Sequence, residues 1–137
     1  DMNNKVLGAQ AGSSGYLNFE GQPELLKNRV KDQKANQYQS FNEALIDLKN
    51  DRIDALLIDR VYANYYLQSE GILNDYNVFS AGFESEAFAV GVRPADKTLL
   101  AALNQAFISL YQEGKFQEIS QKWFGEDVAT SQVKNQE

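Results

Sequence analysis

Apolar and polar positions along this chain fall into blocks that switch between the period of a strand and the period of a helix. Val6 to Ala9 form a short apolar run that predicts a strand over residues 5–9. It breaks into Gly12-Ser13-Ser14-Gly15, where Ser13 or Ser14 is placed to cap a following helix. Tyr16, Leu17 and Phe19 give that helix an apolar side until Gly21 and Pro23 interrupt it. Residues 23–30 read as a second helical piece, with proline in its first turn and Leu25, Leu26 and Val30 apolar. Residues 27–34 are rich in charge and read as a solvated loop, and residues 35–39 as a strand.

The pattern sharpens after that. Ser40 and Glu43 have the spacing of a capping box. Phe41, Ala44, Leu45 and Leu48 then recur at i, i+3, i+4 and i+7, one face of a helix. Residues 53–58, Ile-Asp-Ala-Leu-Leu-Ile, predict a strand covered on both faces. Asp59 follows at once, and a helix is predicted over residues 60–69, closed by Gly71. Residues 76–80 and 87–92 predict two further strands. Leu99, Leu100, Leu103, Phe107 and Leu110 mark an amphipathic helix stopped by Gly114. Phe116, Ile119 and Trp123 mark a last helix stopped by Gly125, and residues 126–137 form a polar, frayed tail. This alternation predicts an open α/β fold with a mostly parallel sheet flanked by helices.

Composition narrows the chemistry. The chain has 137 residues, about one domain's worth, and no apolar run near the roughly 20 residues of a membrane span. Its net charge of −6 argues against a nucleic-acid partner. It contains neither cysteine nor histidine. Thiol nucleophiles, disulfides, histidine acid–base catalysis and zinc sites of the usual kind are therefore absent, and no cofactor or metal is expected.

In open parallel sheets ligands bind beyond the carboxyl ends of the strands. Ser13 and Ser14 follow the end of the first strand, and Asp59 follows the end of the strand at 53–58. If these strands share a sheet, one turn offers N–H and hydroxyl donors and the other a carboxylate acceptor. That pairing complements an α-amino acid. Each residue also has an ordinary structural reading. The serine turn fits a plain helix cap, and Asp59 fits an N-cap for the next helix. Gln10 either faces a cleft or ends its strand. Glu84 and Glu86 fit solvated loop residues, Arg93 a turn charge, and Trp123 a core anchor.

Several of these segments resemble one family. Gln10-Ala-Gly-Ser-Ser14 after a strand is similar to the strand and Gly-Thr/Ser-Thr/Ser element of family 3 extracellular solute-binding proteins, the amino-acid receptors of ABC importers. Arg52-Ile-Asp-Ala-Leu-Leu-Ile-Asp59 resembles their Arg/Lys-x-Asp-Ala-(apolar)-Asp strand. Phe88-Ala-Val-Gly-Val-Arg93, Gly114-Lys-Phe and Lys122-Trp-Phe-Gly125 resemble their C-terminal run.

The resemblance implies a type II periplasmic-binding-protein-like fold of two lobes joined by two hinge crossings. Residues 3–86 correspond to lobe 2, and residues 87–125 to the hinge strand and C-terminal helices of lobe 1. The N-terminal part of lobe 1 is expected to be missing. The implied function is non-enzymatic binding of a polar amino acid for an ABC permease in the membrane, in an extracytoplasmic setting, either the periplasm or the cell surface as a lipid-anchored protein. Ser13 and Ser14 match the residues that hold the α-carboxylate, Asp59 the one that holds the α-ammonium, and Gln10 a position that often meets the ligand side chain. Leu99, Leu103, Phe107, Phe116 and Trp123 would lack their usual partner, so a homodimer through the C-terminal helices is expected. A dehydratase-type enzyme on the same scaffold and the ligand-sensing domain of a membrane receptor are the alternatives.

Overall fold

The computed structural model describes residues 1–134; the last three positions of the predicted tail lie outside the described residues. Three short strands form one sheet: β1 (Leu7–Gln10), β2 (Ala35–Tyr38) and β3 (Ala55–Leu57). Their order is β2-β1-β3, and both pairings are parallel, with Leu7 opposite Ala35 on one side and Ala55 on the other. Among the described residues six α-helices follow in chain order: α1 (Ser14–Gly21), α2 (Phe41–Lys49), α3 (Arg60–Ser69), α4 (Lys97–Gln112), α5 (Lys115–Phe124) and α6 (Ser131–Lys134). The chain divides into two compact units, one of residues 1–60 and 77–84, the other of residues 61–76 and 85–137.

The first unit is built around β1. Leu7 and Ala9 share one face of the strand, as strand geometry requires of i and i+2. They are buried with Phe19 of α1, Leu26, Val30 and Ala35. Helix α2 packs on the sheet and buries Ala44 and Leu45. Its start uses the predicted capping box in a slipped form. Ser40 Oγ accepts from the Glu43 N–H at 3.3 Å, while the Glu43 carboxylate accepts from the N–H of Gln39, one residue before the cap. At its other end Asp47 accepts from Arg52 at 2.8 Å and from the Tyr38 hydroxyl at 2.9 Å. Those bonds, the arginine first, hold its carboxyl below the ordinary aspartate range.

The second unit is helical. Phe107 of α4 and Phe116 of α5 meet edge to face at 6.4 Å, and Tyr65 of α3 lies 6.3 Å from Trp123. Gly114 and Gly125 take φ of 77° and 72°, the left-handed conformation that lets α4 and α5 stop. Asn64 donates to the Glu126 carboxylate at 2.7 Å.

The structure corrects five expectations. Residues 23–30 form hydrogen-bonded turns, Asn28 N–H to Pro23 C=O and Arg29 N–H to Leu26 C=O, and bury Leu26 and Val30 without a helix. The strand at 53–58 shortens to β3, an edge strand whose residues are only half-buried. Residues 76–80 and 87–92 join no sheet among the described residues. Phe79, Phe88 and Val90 are exposed, and an apolar pattern without a ladder partner does not make a strand. Residues 126–134 are tied down rather than frayed: Asp127 accepts from Tyr111 and Ala129 and pairs with Lys134 at 3.1 Å.

Gly8 is closely covered by neighbouring side chains. A Cβ there would lie 2.6 Å from Ile53 Cδ1 and 3.0 Å from the Tyr38 ring. Gly8→Ala is therefore expected to destabilise the fold by about 1–3 kcal/mol through overpacking, read from urea denaturation midpoints.

Candidate functional site

Two turns leave the carboxyl edge of the sheet side by side, because β1 and β3 are parallel neighbours. The first carries Gln10, Ser13 and Ser14. Gly12, at φ +70°, reverses the chain out of β1. Ser13 then sits in extended conformation as the N-cap of α1. Its hydroxyl donates to the Gln10 C=O at 2.9 Å and accepts from the Tyr16 N–H at 3.1 Å. The plain helix-cap reading thus describes what the Ser13 side chain does. Ser14 opens the helix and is exposed. The N–H groups of Ser14 and Gly15 have no hydrogen-bond partner among the described residues. Two orphan donors at the positive end of a helix suit an anion.

The second turn carries Asp59, half-buried between β3 and α3. The two turns are linked through the helix start. A Cβ on Gly15 would sit 3.5 Å from Leu57 Cγ, so the first turn of α1 rests on the last residue of β3, two positions before Asp59. Gln10 donates its side-chain amide to the Gln39 C=O at 3.2 Å, which ties the end of β1 to the chain leaving β2. Gln39 was absent from the sequence-derived set; its position just past β2, at the same edge, is the signal that points to it. The other charged residues weighed from the sequence lie elsewhere. Arg93 pairs with Asp96 at 2.6 Å within its turn, and Glu84 and Glu86 are exposed in coil. Among the described residues no group of three or more His, Cys, Asp or Glu side chains could hold a metal, and no helix is long and apolar enough to cross a membrane.

Near the turn, the Tyr16 hydroxyl titrates above its ordinary value, chiefly from burial and then from the Glu20 carboxylate. Glu20 itself is held low by its bond to Lys27. These groups lie on the α1 side of the core.

A parallel α/β lobe of this kind is periplasmic-binding-protein-like. Residues 23–126 match the bacterial extracellular solute-binding proteins, family 3, and the chain belongs to that family. The chain is 30% identical over 128 residues to ABC transporter arginine-binding protein 1 of Escherichia coli (strain K12), covering 90% of this chain and 49% of that protein. It is also 30% identical over 128 residues to the E. coli L-cystine-binding protein TcyJ, covering 93% of this chain and 45% of that one. Among solved structures, an ABC uptake transporter substrate-binding protein from Streptococcus pneumoniae with bound histidine is 73% identical with a TM-score of 0.76, over 96% of this chain and 53% of that one. A polar amino acid ABC uptake transporter substrate-binding protein from Streptococcus thermophilus is 62% identical with a TM-score of 0.81, over 97% and 50%. The chain thus spans about half the length of the relatives it matches.

The hydroxyl bonds make distinct predictions for the two serines. Ser13→Ala should cost about 1 kcal/mol of stability, the usual loss of an N-cap, whereas Ser14→Ala should stay within about 0.5 kcal/mol of the original chain. Paired urea titrations check this; equal losses at both positions would contradict the cap assignment.

Proposed function

We propose that this chain is the ligand-binding half of an extracytoplasmic receptor that delivers a polar amino acid to an ABC permease. The observation that carries the reading is the 73% identity, over nearly the whole chain, to a substrate-binding protein crystallised with histidine. The α-carboxylate of the ligand is assigned to the orphan N–H groups and hydroxyl of the Ser13–Ser14 turn. Its α-ammonium is assigned to Asp59, and its side chain to the neighbourhood of Gln10. The donors and the acceptor leave adjacent parallel strands at one edge, which is the polarity a zwitterion needs. A carboxylate held by helix N–H groups and an ammonium held by an aspartate are both charge-assisted contacts, the stronger class of hydrogen bond.

In this reading residues 3–86 form lobe 2, and residues 87–125 return to lobe 1. Ligand binding works by hinge closure: the two lobes trap the amino acid, and the closed form docks on the permease. The chain is a carrier and carries out no reaction. One lobe supplies only part of the contacts, so calorimetry on the isolated chain should give L-histidine a dissociation constant in the millimolar range or weaker. In the complete receptor Asp59→Asn should weaken binding by about 10–100-fold, the cost of one charged hydrogen bond. Micromolar binding by the isolated chain would contradict the two-lobe reading, and an unchanged affinity in the variant would contradict the role of Asp59.

Exposed apolar residues of α4 and α5 extend the proposal. Leu99, Leu100, Leu110, Ile119 and Trp123 are each more than a third exposed, while Phe107 and Phe116 pack on one another. In the isolated chain, without the rest of lobe 1 to cover these residues, a second copy of the chain covers them and gives a dimer. Light scattering at tens of micromolar is expected to return twice the 15.4 kDa chain mass; a monomeric mass contradicts the dimer.

A further inference from the structure

We propose that Asp54 is a positioning residue that sets the register of β3 against β1, and through it the placement of the Ser13–Ser14 turn relative to the Asp59 turn. The inference rests on the assignment of that sheet edge as the amino-acid site. Asp54 sits just before β3, at the opposite end of the strand from Asp59. Its carboxylate accepts the Val6 N–H at 2.7 Å through one oxygen and the Lys5 ammonium at 3.3 Å through the other. The backbone answers in kind: the Val6 C=O accepts the N–H groups of Asp54 at 2.9 Å and of Ala55 at 3.3 Å. Both polar backbone groups of Val6 are therefore committed to this short segment.

The clamp matters because the ladder it guards is short. β3 has three residues, paired Leu7–Ala55, Gly8–Leu56 and Ala9–Leu57. A strand repeats its facing every two residues at about 3.3 Å per residue, so the smallest slip that keeps apolar residues on their face moves a strand end by about 6–7 Å. A shift of that size would carry Asp59 out of reach of a ligand held at the α1 start. The packing at Gly8 opposes a slip, since Ile53 lies in the space a Cβ on Gly8 would fill. Packing, however, tolerates sliding better than a directional bond does. The Val6–Asp54 bond selects one register, because only the aligned carboxylate meets that N–H. The low-lying titration of the Asp54 carboxyl, caused first by the Val6 N–H and then by Lys5, agrees with a charge held by both.

The test uses the 137-residue chain and backbone amide NMR. Asp54→Ala removes both bonds, whereas Asp54→Asn keeps an oxygen that can accept the Val6 N–H. In Asp54→Ala, without ligand, the amide resonances of Ser13, Ser14 and Asp59 are expected to move along with those of Val6 and Leu7. The Leu7–Ala55 cross-strand contacts should weaken, at a temperature where the thermal transition shows the chain fully folded. Asp54→Asn should restore the edge resonances. If Asp54→Ala is folded and shifts only Lys5 and Val6, or if Asp54→Asn is no closer to the original than Asp54→Ala, the proposal is overturned. If Asp54→Ala does not fold, Asp54→Glu carries the test: its longer reach should displace the edge resonances, and an unchanged edge overturns the proposal.

L-histidine, added to tens of millimolar, separates this inference from the one beneath it. A response at Ser13, Ser14 and Asp59 in the original chain that falls about fivefold or more in Asp54→Ala, and returns in Asp54→Asn, supports the positioning role. Equal responses in the original chain and Asp54→Ala overturn it. If histidine causes no shift in the original chain, the isolated lobe holds it too weakly for this arm, the amino-acid assignment is decided by Asp59→Asn in the complete receptor, and the register claim is decided by the ligand-free spectra.

Discussion

The parallel pairing of β1 with β3 is the constraint on which the rest of the first unit depends. At its centre the sheet is covered closely where Gly8 has no side chain. Gly8 leaves room for Ile53 and Tyr38 to close over the centre of the sheet, and any Cβ there meets Ile53 at 2.6 Å. The start of α1 lies against Leu57, and the Leu7–Ala9 face is buried with Phe19. A shared core of Leu26, Val30 and Ala35 then buries the apolar area that holds this unit together. The sheet is small, so its order relies on bonds at both ends of the strands, Asp54 at one end and the Ser13 cap at the other.

That arrangement gives one edge an electrical polarity. Parallel strands end together, so the turn after β1 and the turn after β3 come out on the same side. One contributes a helix start with two N–H groups that have no partner among the described residues, the other an aspartate. Ser13 shows how such a turn serves structure and leaves room for the proposed ligand role. Its hydroxyl is spent on the helix cap, and by satisfying the Tyr16 N–H it leaves the Ser14 and Gly15 N–H groups as the donors facing outward along the helix axis. The cap and the proposed carboxylate site are two uses of one helix start.

Much of this was legible before any coordinates. The capping box at Ser40, the amphipathic stripe of α2, the glycine stops at 114 and 125, and the Gly-Ser-Ser turn between β1 and α1 all lie where local chemistry puts them. Local rules failed where the outcome depended on a partner. Residues 87–92 have a strand's composition, yet Phe88 and Val90 stay exposed because no neighbouring strand completes a ladder among the described residues. Residues 23–30 have helical spacing, yet the break at Gly21 and Pro23 leaves them as turns that still bury Leu26 and Val30. The same limit applies at the site. The positions of Ser13, Ser14 and Asp59, the residues of the proposed site, after strands were legible, whereas Gln39 as the partner of Gln10 and the bond from Asp54 to Val6 span 29 and 48 positions of chain. No short motif encodes contacts at that separation.

The central claim is that the β1–β3 edge holds the backbone end of an amino acid. A crystal structure of the complete receptor carrying this segment, grown with L-histidine, tests it most directly. The account predicts the ligand carboxylate within hydrogen-bond distance of the Ser14 and Gly15 N–H groups and its ammonium within hydrogen-bond distance of Asp59. A ligand bound away from this edge, or with its ammonium against another residue and Asp59 turned into its own helix cap, would contradict it.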